Sequence, residues 1–347
     1  MNRTAVLTLL LPVAAASCSG GNAADKAVLV SADGKYRVLH VADAKWKGEL
    51  AKTEMEAVLE RLPKIDLVYA HNDPMAKGAY EACRQKGRTG IRFVGIDGLE
   101  AEGRNYVRDG VLDATFEYTT CADAAIDLAL LAVGGVEFPK QARDFKLGTR
   151  VFTRANVAAG GERTMPTPDE TVLVTLQRQH ADLLKPDPAA KKVKIGMAQC
   201  TDNEPWRVAM REDLIAAARR YPQVEFSYRS ADDDTEKQRG IVADFVAQGF
   251  QAILVSPKES RALASACKDA LARHVPVIVI DRELGSDDYT CFVGGSNLEI
   301  GKAAGGTIRE LLPDGGTIVE LEGLMTSSPA QERHQGFVEA LQLAPPK

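Results

Sequence analysis

Two tryptophans and a small set of acids, amides and guanidinium groups stand where this chain could do chemistry: Trp46, Asn72, Asp73, Asp97, Asn203, Trp206, Asp281 and Arg282. Each closely follows a short apolar run of strand length, such as "IDLVYA" before His71 or "VPVIVI" before Asp281. Ligands of open α/β sheets sit outside the carboxyl ends of the strands, so these residues share one kind of rim. Arg333 joins them from one turn inside a helix expected over 328–342, after the loop "GLMTSSPAQER". The set suits a polyhydroxylated ring: aromatic faces cover its C–H faces, and charged or amide groups pair with its hydroxyls, the charged ones most strongly. Each residue also has an ordinary reading. A tryptophan is more often a packing residue than a ligand platform, Asp281-Arg282 reads equally as a local ion pair or helix cap, and Asp97-Gly98 as a turn. Arg333 reads as a surface partner of Glu332 or Glu322. Asn72-Asp73 before Pro74 is a helix start, with Asn72 assigned to the ligand and Asp73 to the cap.

The elements that must position these side chains alternate along the chain. Strands are expected over 36–41, 65–70, 92–96, 112–117, 146–152, 193–198, 223–228, 251–255, 276–280, 290–294 and 316–321. Continuous apolar runs such as "AILVS" suit strands covered on both faces, as in a parallel sheet. Amphipathic helices between them complete βαβ units, so the fold class is α/β, with doubly wound sheets. Residues 157–191 interrupt the alternation; Gly160-Gly161 and four prolines mark them as a linker holding one short strand and one helical turn.

The 347 residues, 45% hydrophobic and 26% charged, fit two globular lobes. A net charge of −5 gives no electrostatic reason to bind nucleic acid. The five histidines never approach an HExxH spacing and no CxxC occurs, so no metal or cofactor is expected. Neither a phosphate-cradling glycine loop nor a G-x-S-x-G elbow is present. At the N-terminus, Arg3 and "AVLTLLLPVAAA" read as a signal peptide over 1–17, too short in its apolar run to span a bilayer. Small residues before Cys18 resemble a bacterial lipobox, which makes Cys18 a lipid anchor and 18–27 a tether, although Ala15 stands where that pattern favours Leu. The other five cysteines are expected to be small buried apolar side chains.

Residues 192–342 open with "KKVKIGMAQCTDNEPW" and run to "GTIVELEGLMTSSPAQERHQGFVEAL"; residues 36–156 carry "KYRVLHVADAKW", "IDLVYAHNDPMAKGAYEA", "IRFVGIDG" and "LGTRVFTRAN". Set end to end as 192–347 and then 28–156, these resemble a single type I periplasmic sugar-binding protein of the ribose-binding kind. The resemblance implies two doubly wound parallel-sheet lobes with a hinge, circularly permuted, with 157–191 joining the ordinary ends. One lobe would combine 192–294 with 118–143; the other would take 295–347 and the rest of 28–156. It also implies that Trp206 and Trp46 sandwich a sugar ring. Asn203, Asp281, Arg282, Arg333, Asn72 and Asp97 would be polar contacts, with Tyr118 in place of the glutamine usual in ribose binders. "NEPW" departs from the more common "NPFF" or "NPFW". Both changes alter the cleft and put ribose itself in doubt. The implied function is capture of a monosaccharide or cyclic polyol outside the cytoplasm by a monomer, for an ABC permease or alternatively a membrane-bound sensor. A third reading is a sugar-active enzyme using Asp97 and Asp281 for acid–base work.

Overall fold

The computed structural model describes residues 26–163 and 167–346, so the expected signal peptide and Cys18 lie outside the described residues. Fully buried runs, Val277–Ile280, Ala252–Ser256 and Leu67–Ala70, form central strands because only a sheet covered on both faces gives every side chain of such a run an apolar neighbour. Two sheets result. The six-stranded one runs Val224–Ser230, Val193–Gln199, Ala252–Ser256, Val277–Ile280, Cys291–Gly295, Asp144–Leu147, all parallel. The nine-stranded one has a parallel centre of Tyr36–Asp43, Gly316–Glu322, Leu67–Ala70, Arg92–Val94 and Ala114–Phe116. Antiparallel strands border it: Leu29–Ser31 and Leu343–Ala344 on one side, Arg150–Thr153 and Glu162–Arg163 on the other. Strand Gly316–Glu322, late in the chain, thus lies between two strands from its beginning.

Helices start where sequence chemistry puts them. Pro205 and Pro329 occupy first-turn positions of Pro205–Arg219 and Ser328–Leu341, where a missing N–H costs nothing. Helices Asn297–Leu311 and Ser328–Leu341 touch backbone to backbone: a Cβ on Gly336 would stand 2.2 Å from the Leu298 carbonyl oxygen, and one on Gly301 2.4 Å from that of Arg333. That contact sets the height at which Arg333 enters the space between the sheets.

Two expectations need correction. The single strand expected over 146–152 is two strands, Asp144–Leu147 in the six-stranded sheet and Arg150–Thr153 in the nine-stranded one; the chain crosses between sheets at Gly148-Thr149, so 144–147 belongs with 118–143. Residues 157–191 are more than a linker. Thr167 caps a twelve-residue helix, Pro168–Gln179, by accepting the Glu170 N–H (3.1 Å). Leu173 of this helix is buried in the main core, and Gln177 donates to Asp127 (2.8 Å) on helix Ala122–Val133. Cys83, Cys121, Cys200, Cys267 and Cys291 are all buried and free.

Candidate ligand-binding site

The carboxyl ends of the two sheets face each other across a narrow cavity, whose empty space is about 290 Å3 counting the part open to solvent. Of the nine residues expected to bind, eight line it: Trp46, Asn72, Asp97, Tyr118, Trp206, Asp281, Arg282 and Arg333. Asn203 does not. It lines a wider outer cleft with Lys45, Lys47 and Lys258, while Glu204 and Arg207 take the inner positions beside Trp206.

On the wall of the six-stranded sheet, Asp281 directly follows strand Val277–Ile280 with a left-handed backbone (φ 66°). Its Oδ2 accepts from Ser256 Oγ (2.8 Å) and pairs with Arg207 Nη1 (2.9 Å), and its Oδ1 accepts from the Tyr118 hydroxyl (2.9 Å). Burial alone would raise this carboxyl; the Arg207 and Arg282 guanidinium groups and the two hydroxyl donors outweigh it and hold it below its usual value. Arg207 Nη1 also donates to Gln199 Oε1 and Ser256 Oγ, each at 3.1 Å. Trp206 donates its indole N–H to the Tyr118 carbonyl (2.7 Å) and stacks on the Tyr118 ring, with centroids 4.8 Å apart and planes 30° apart.

The opposite wall is less committed. Asp97 (φ 117°) has Arg333 Nη1 at 3.7 Å from Oδ1 as its ionic neighbour, and burial pushes its carboxyl well above the ordinary range despite that partial offset. Arg333, 2% exposed, is aimed by bonds to Asn297 Oδ1 (2.9 Å) and the His71 carbonyl; its guanidinium lies 5.3 Å from the Trp46 ring centre and 4.6 Å from that of Tyr118. Left-handed Lys45 and Trp46 (φ 52° and 67°) turn the indole in toward Gly323. Among the described residues, Trp46 Nε1, Arg207 Nε and Arg282 Nε are buried donors without a hydrogen-bond partner, and all three residues line this cavity.

Asn72 lines the cavity but is the helix cap: its Oδ1 accepts the Met75 N–H (3.0 Å), and its amide donates to the Trp46 carbonyl (3.0 Å). The cap expected of Asp73 is corrected accordingly. Asp73 points inward to Thr115 Oγ1 (2.6 Å) and the Gly98 N–H (2.8 Å). Sequence reasoning missed Arg207, Glu204, Ser256 and Asn297. The signal for the first two was their place in the turn "NEPWR", within reach of any ligand that touches Trp206.

This geometry, two α/β lobes with a polar and aromatic cleft at the strand ends, is that of a solute-binding protein. The periplasmic binding protein domain matches residues 16–135 and 195–347, and the chain belongs to that family, in its type I sugar-binding branch. Over 147 residues the chain is 31% identical to the ribose import binding protein RbsB of Bacillus subtilis, covering 42% of this chain and 48% of that one. Over 160 residues it is 28% identical to the galactofuranose-binding protein YtfQ of Escherichia coli, covering 45% and 50%. Among solved structures, the fructose-binding periplasmic domain of the hybrid two-component system BT1754 is 39% identical over 43% of this chain and 50% of its own, with a TM-score of 0.41. The chain spans about half the length of the curated relatives it matches.

Proposed function

We propose that this protein captures a monosaccharide or cyclic polyol in the cleft between its lobes, outside the cytoplasm, and delivers it to an ABC importer. The observation that carries the reading is a set of buried donors that make no hydrogen bond, Trp46 Nε1, Arg207 Nε (Glu204 Oε2 at 3.7 Å) and Arg282 Nε (Asp281 Oδ2 at 3.9 Å), around one small cavity that also holds the little-bonded carboxylate of Asp97. Ring hydroxyls and the ring oxygen accept from such donors, and a hydroxyl donates to Asp97. Trp206 and Trp46, from opposite walls, would cover the two faces of the ring. Binding closes the lobes because contacts from both walls are made together only in the closed form. Enzymatic use of Asp97 and Asp281 as an acid–base pair finds no support here: both oxygens of Asp281 are engaged by Tyr118, Ser256 and Arg207. A thermal-shift screen of monosaccharides and cyclic polyols tests the function. The right ligand at 100 times its Kd adds about 2.7 kcal/mol and changes the tryptophan fluorescence; a complete set without a shift removes the reading.

The chain order supports circular permutation. In the six-stranded sheet, numbering strands along the chain from Val193–Gln199 gives the order 2-1-3-4-5 across Val224–Ser230 to Cys291–Gly295. The parallel centre of the other sheet has the same order only when Gly316–Glu322 is counted first and Tyr36–Asp43 second. Joining 192–347 directly to 28–156 should give a folded chain with the same ligand; cooperative folding of either half alone would count against it. Export by the segment 1–17 and anchoring through lipidated Cys18 complete the proposal, and labelling with a fatty-acid analogue tests them.

A further inference from the structure

Behind the cleft wall, strand Gly316–Glu322 meets helix Ser328–Leu341, and three side chains converge that the ligand site does not use. Glu320 and Glu322, two apart on the strand, share the face turned toward the helix. His334, next to Arg333 on the helix, puts Nδ1 2.9 Å from Glu320 Oε1 and 3.2 Å from Glu322 Oε1. One ligand atom from each of the three lies within 4.8 Å of the others. Glu320 is fully buried, yet its Oε2 has no partner among the described residues. A carboxylate taken out of water normally has both oxygens engaged, and Glu322 beside it adds a second negative charge that His334 bridges and His71 does not touch.

His71 supplies the supporting contact. Its Nδ1 accepts the Gly323 N–H (3.3 Å), so Nε2 carries the proton and donates to Glu320 Oε1 (3.1 Å). That bond orients the carboxylate as an outer partner orients a metal ligand, and it leaves Oε2 for an ion. His334, 30% exposed on its side chain, faces the solvent path. One imidazole and two carboxylates make a nitrogen–oxygen donor set, which suits zinc or manganese better than calcium, whose ligands are all oxygen.

We propose that Glu320, Glu322 and His334 form a binding site for one divalent transition-metal ion of the zinc or manganese class. Such an ion would clamp the strand to the helix immediately behind Arg333, whose Nη1 bonds the His71 carbonyl. The site is independent of the sugar reading, since none of its three residues lines the cleft. The test is calorimetric titration of the full chain, stripped with EDTA, with zinc chloride and separately with manganese chloride. Glu322→Gln and His334→Gln are titrated beside it, their folding checked by circular dichroism. At least one ion should bind saturably at one per chain, with affinity falling by at least about tenfold in each folded variant. Should a substitution unfold the chain, Glu322→Asp and His334→Asn replace it under the same criterion. No saturable binding of either ion, or binding that a folded variant leaves unchanged, overturns the proposal.

Discussion

Asp281 and Asp97 follow corresponding strands of the two sheets, Val277–Ile280 and Arg92–Val94, each fourth in the 2-1-3-4-5 order, and both have left-handed backbones. Their surroundings differ. Asp281 is engaged by Ser256, Tyr118 and Arg207, whereas Asp97 has Arg333 at 3.7 Å. One wall is therefore assembled before a ligand arrives, with its aspartate held ionised by a buried arginine. The other keeps its aspartate in a state that burial penalises, and a ligand hydroxyl would relieve that penalty. A cleft built this way has one side whose aspartate is already fixed, although Arg207 Nε and Arg282 Nε there make no hydrogen bond, and another whose aspartate rewards occupation.

The largest expected effect comes from breaking the wall of Asp281. Asp281→Ala strands the buried Arg207 guanidinium and should cost about 3–5 kcal/mol of folding stability, read as a lower Tm without any ligand. The same group predicts a pH signature. Its folded-state value lies below the ordinary 3.8, so its ionised form stabilises the folded chain above that pH, and the contribution is lost as pH falls through the lowered value. The Tm gap between the wild type and Asp281→Asn should therefore narrow below about pH 4. A gap that widened in acid would mean that Asp281 is not held ionised.

Asp97→Asn should do the reverse. Without ligand the Tm should hold or rise slightly, because burial disfavours this charge and Arg333 keeps Asn297 and the His71 carbonyl. Affinity for the confirmed ligand should fall by about 5- to 150-fold, the equivalent of ~1–3 kcal/mol. If both aspartate variants lost stability alike, the contrast between the walls would be wrong.

The two tryptophans sharpen the contrast at a smaller scale. Trp206→Phe keeps an aromatic face but loses the bond to the Tyr118 carbonyl, so about 1 kcal/mol of stability should go. Trp46→Phe removes an indole N–H that has no protein partner; stability should hold and affinity should drop by about fivefold, or ~1 kcal/mol. Equal affinity in Trp46→Phe would mean that this N–H does not meet the ligand.

Much of the wall of Asp97 was legible in the sequence because each of its residues follows a local signal. Trp46 and Asp97 come just after the strands Tyr36–Asp43 and Arg92–Val94, and the strand-exit rule needs nothing more distant. The wall of Asp281 was legible only in part. Arg207, in the first turn of Pro205–Arg219, reads as an exposed helix charge until strand Ala252–Ser256 brings Ser256 against it from 49 residues away. Asn72 and Asp73 are both competent caps. The choice between them is made by the Trp46 carbonyl, 26 residues back, and Thr115, 42 residues on from Asp73. The crossing at Gly148-Thr149 was hidden because strand patterning continues through it while the partner sheet changes. Helix Pro168–Gln179 did carry a signal, Thr167 followed three residues later by Glu170, but the surrounding prolines and glycines masked it.

Asn203 carries the smallest expected effect and the sharpest limit on where the ligand ends. The strand-exit rule placed it beside Trp206, and the family resemblance made it a contact. In the structure its backbone N–H is tied to Thr201 Oγ1 (3.2 Å), and the residue lines the outer cleft rather than the inner cavity. A monosaccharide held between the walls would then leave Asn203 to solvent, where an amide exchanges one water for another at little gain. Asn203→Ala should change the affinity for a monosaccharide by less than about 0.5 kcal/mol, roughly a factor of two, while Asp97→Asn lowers it by far more. Calorimetry of both variants with the same sugar makes the comparison. A loss at Asn203 as large as that at Asp97 would mean that the ligand reaches past the inner cavity and into the outer cleft that Asn203 lines.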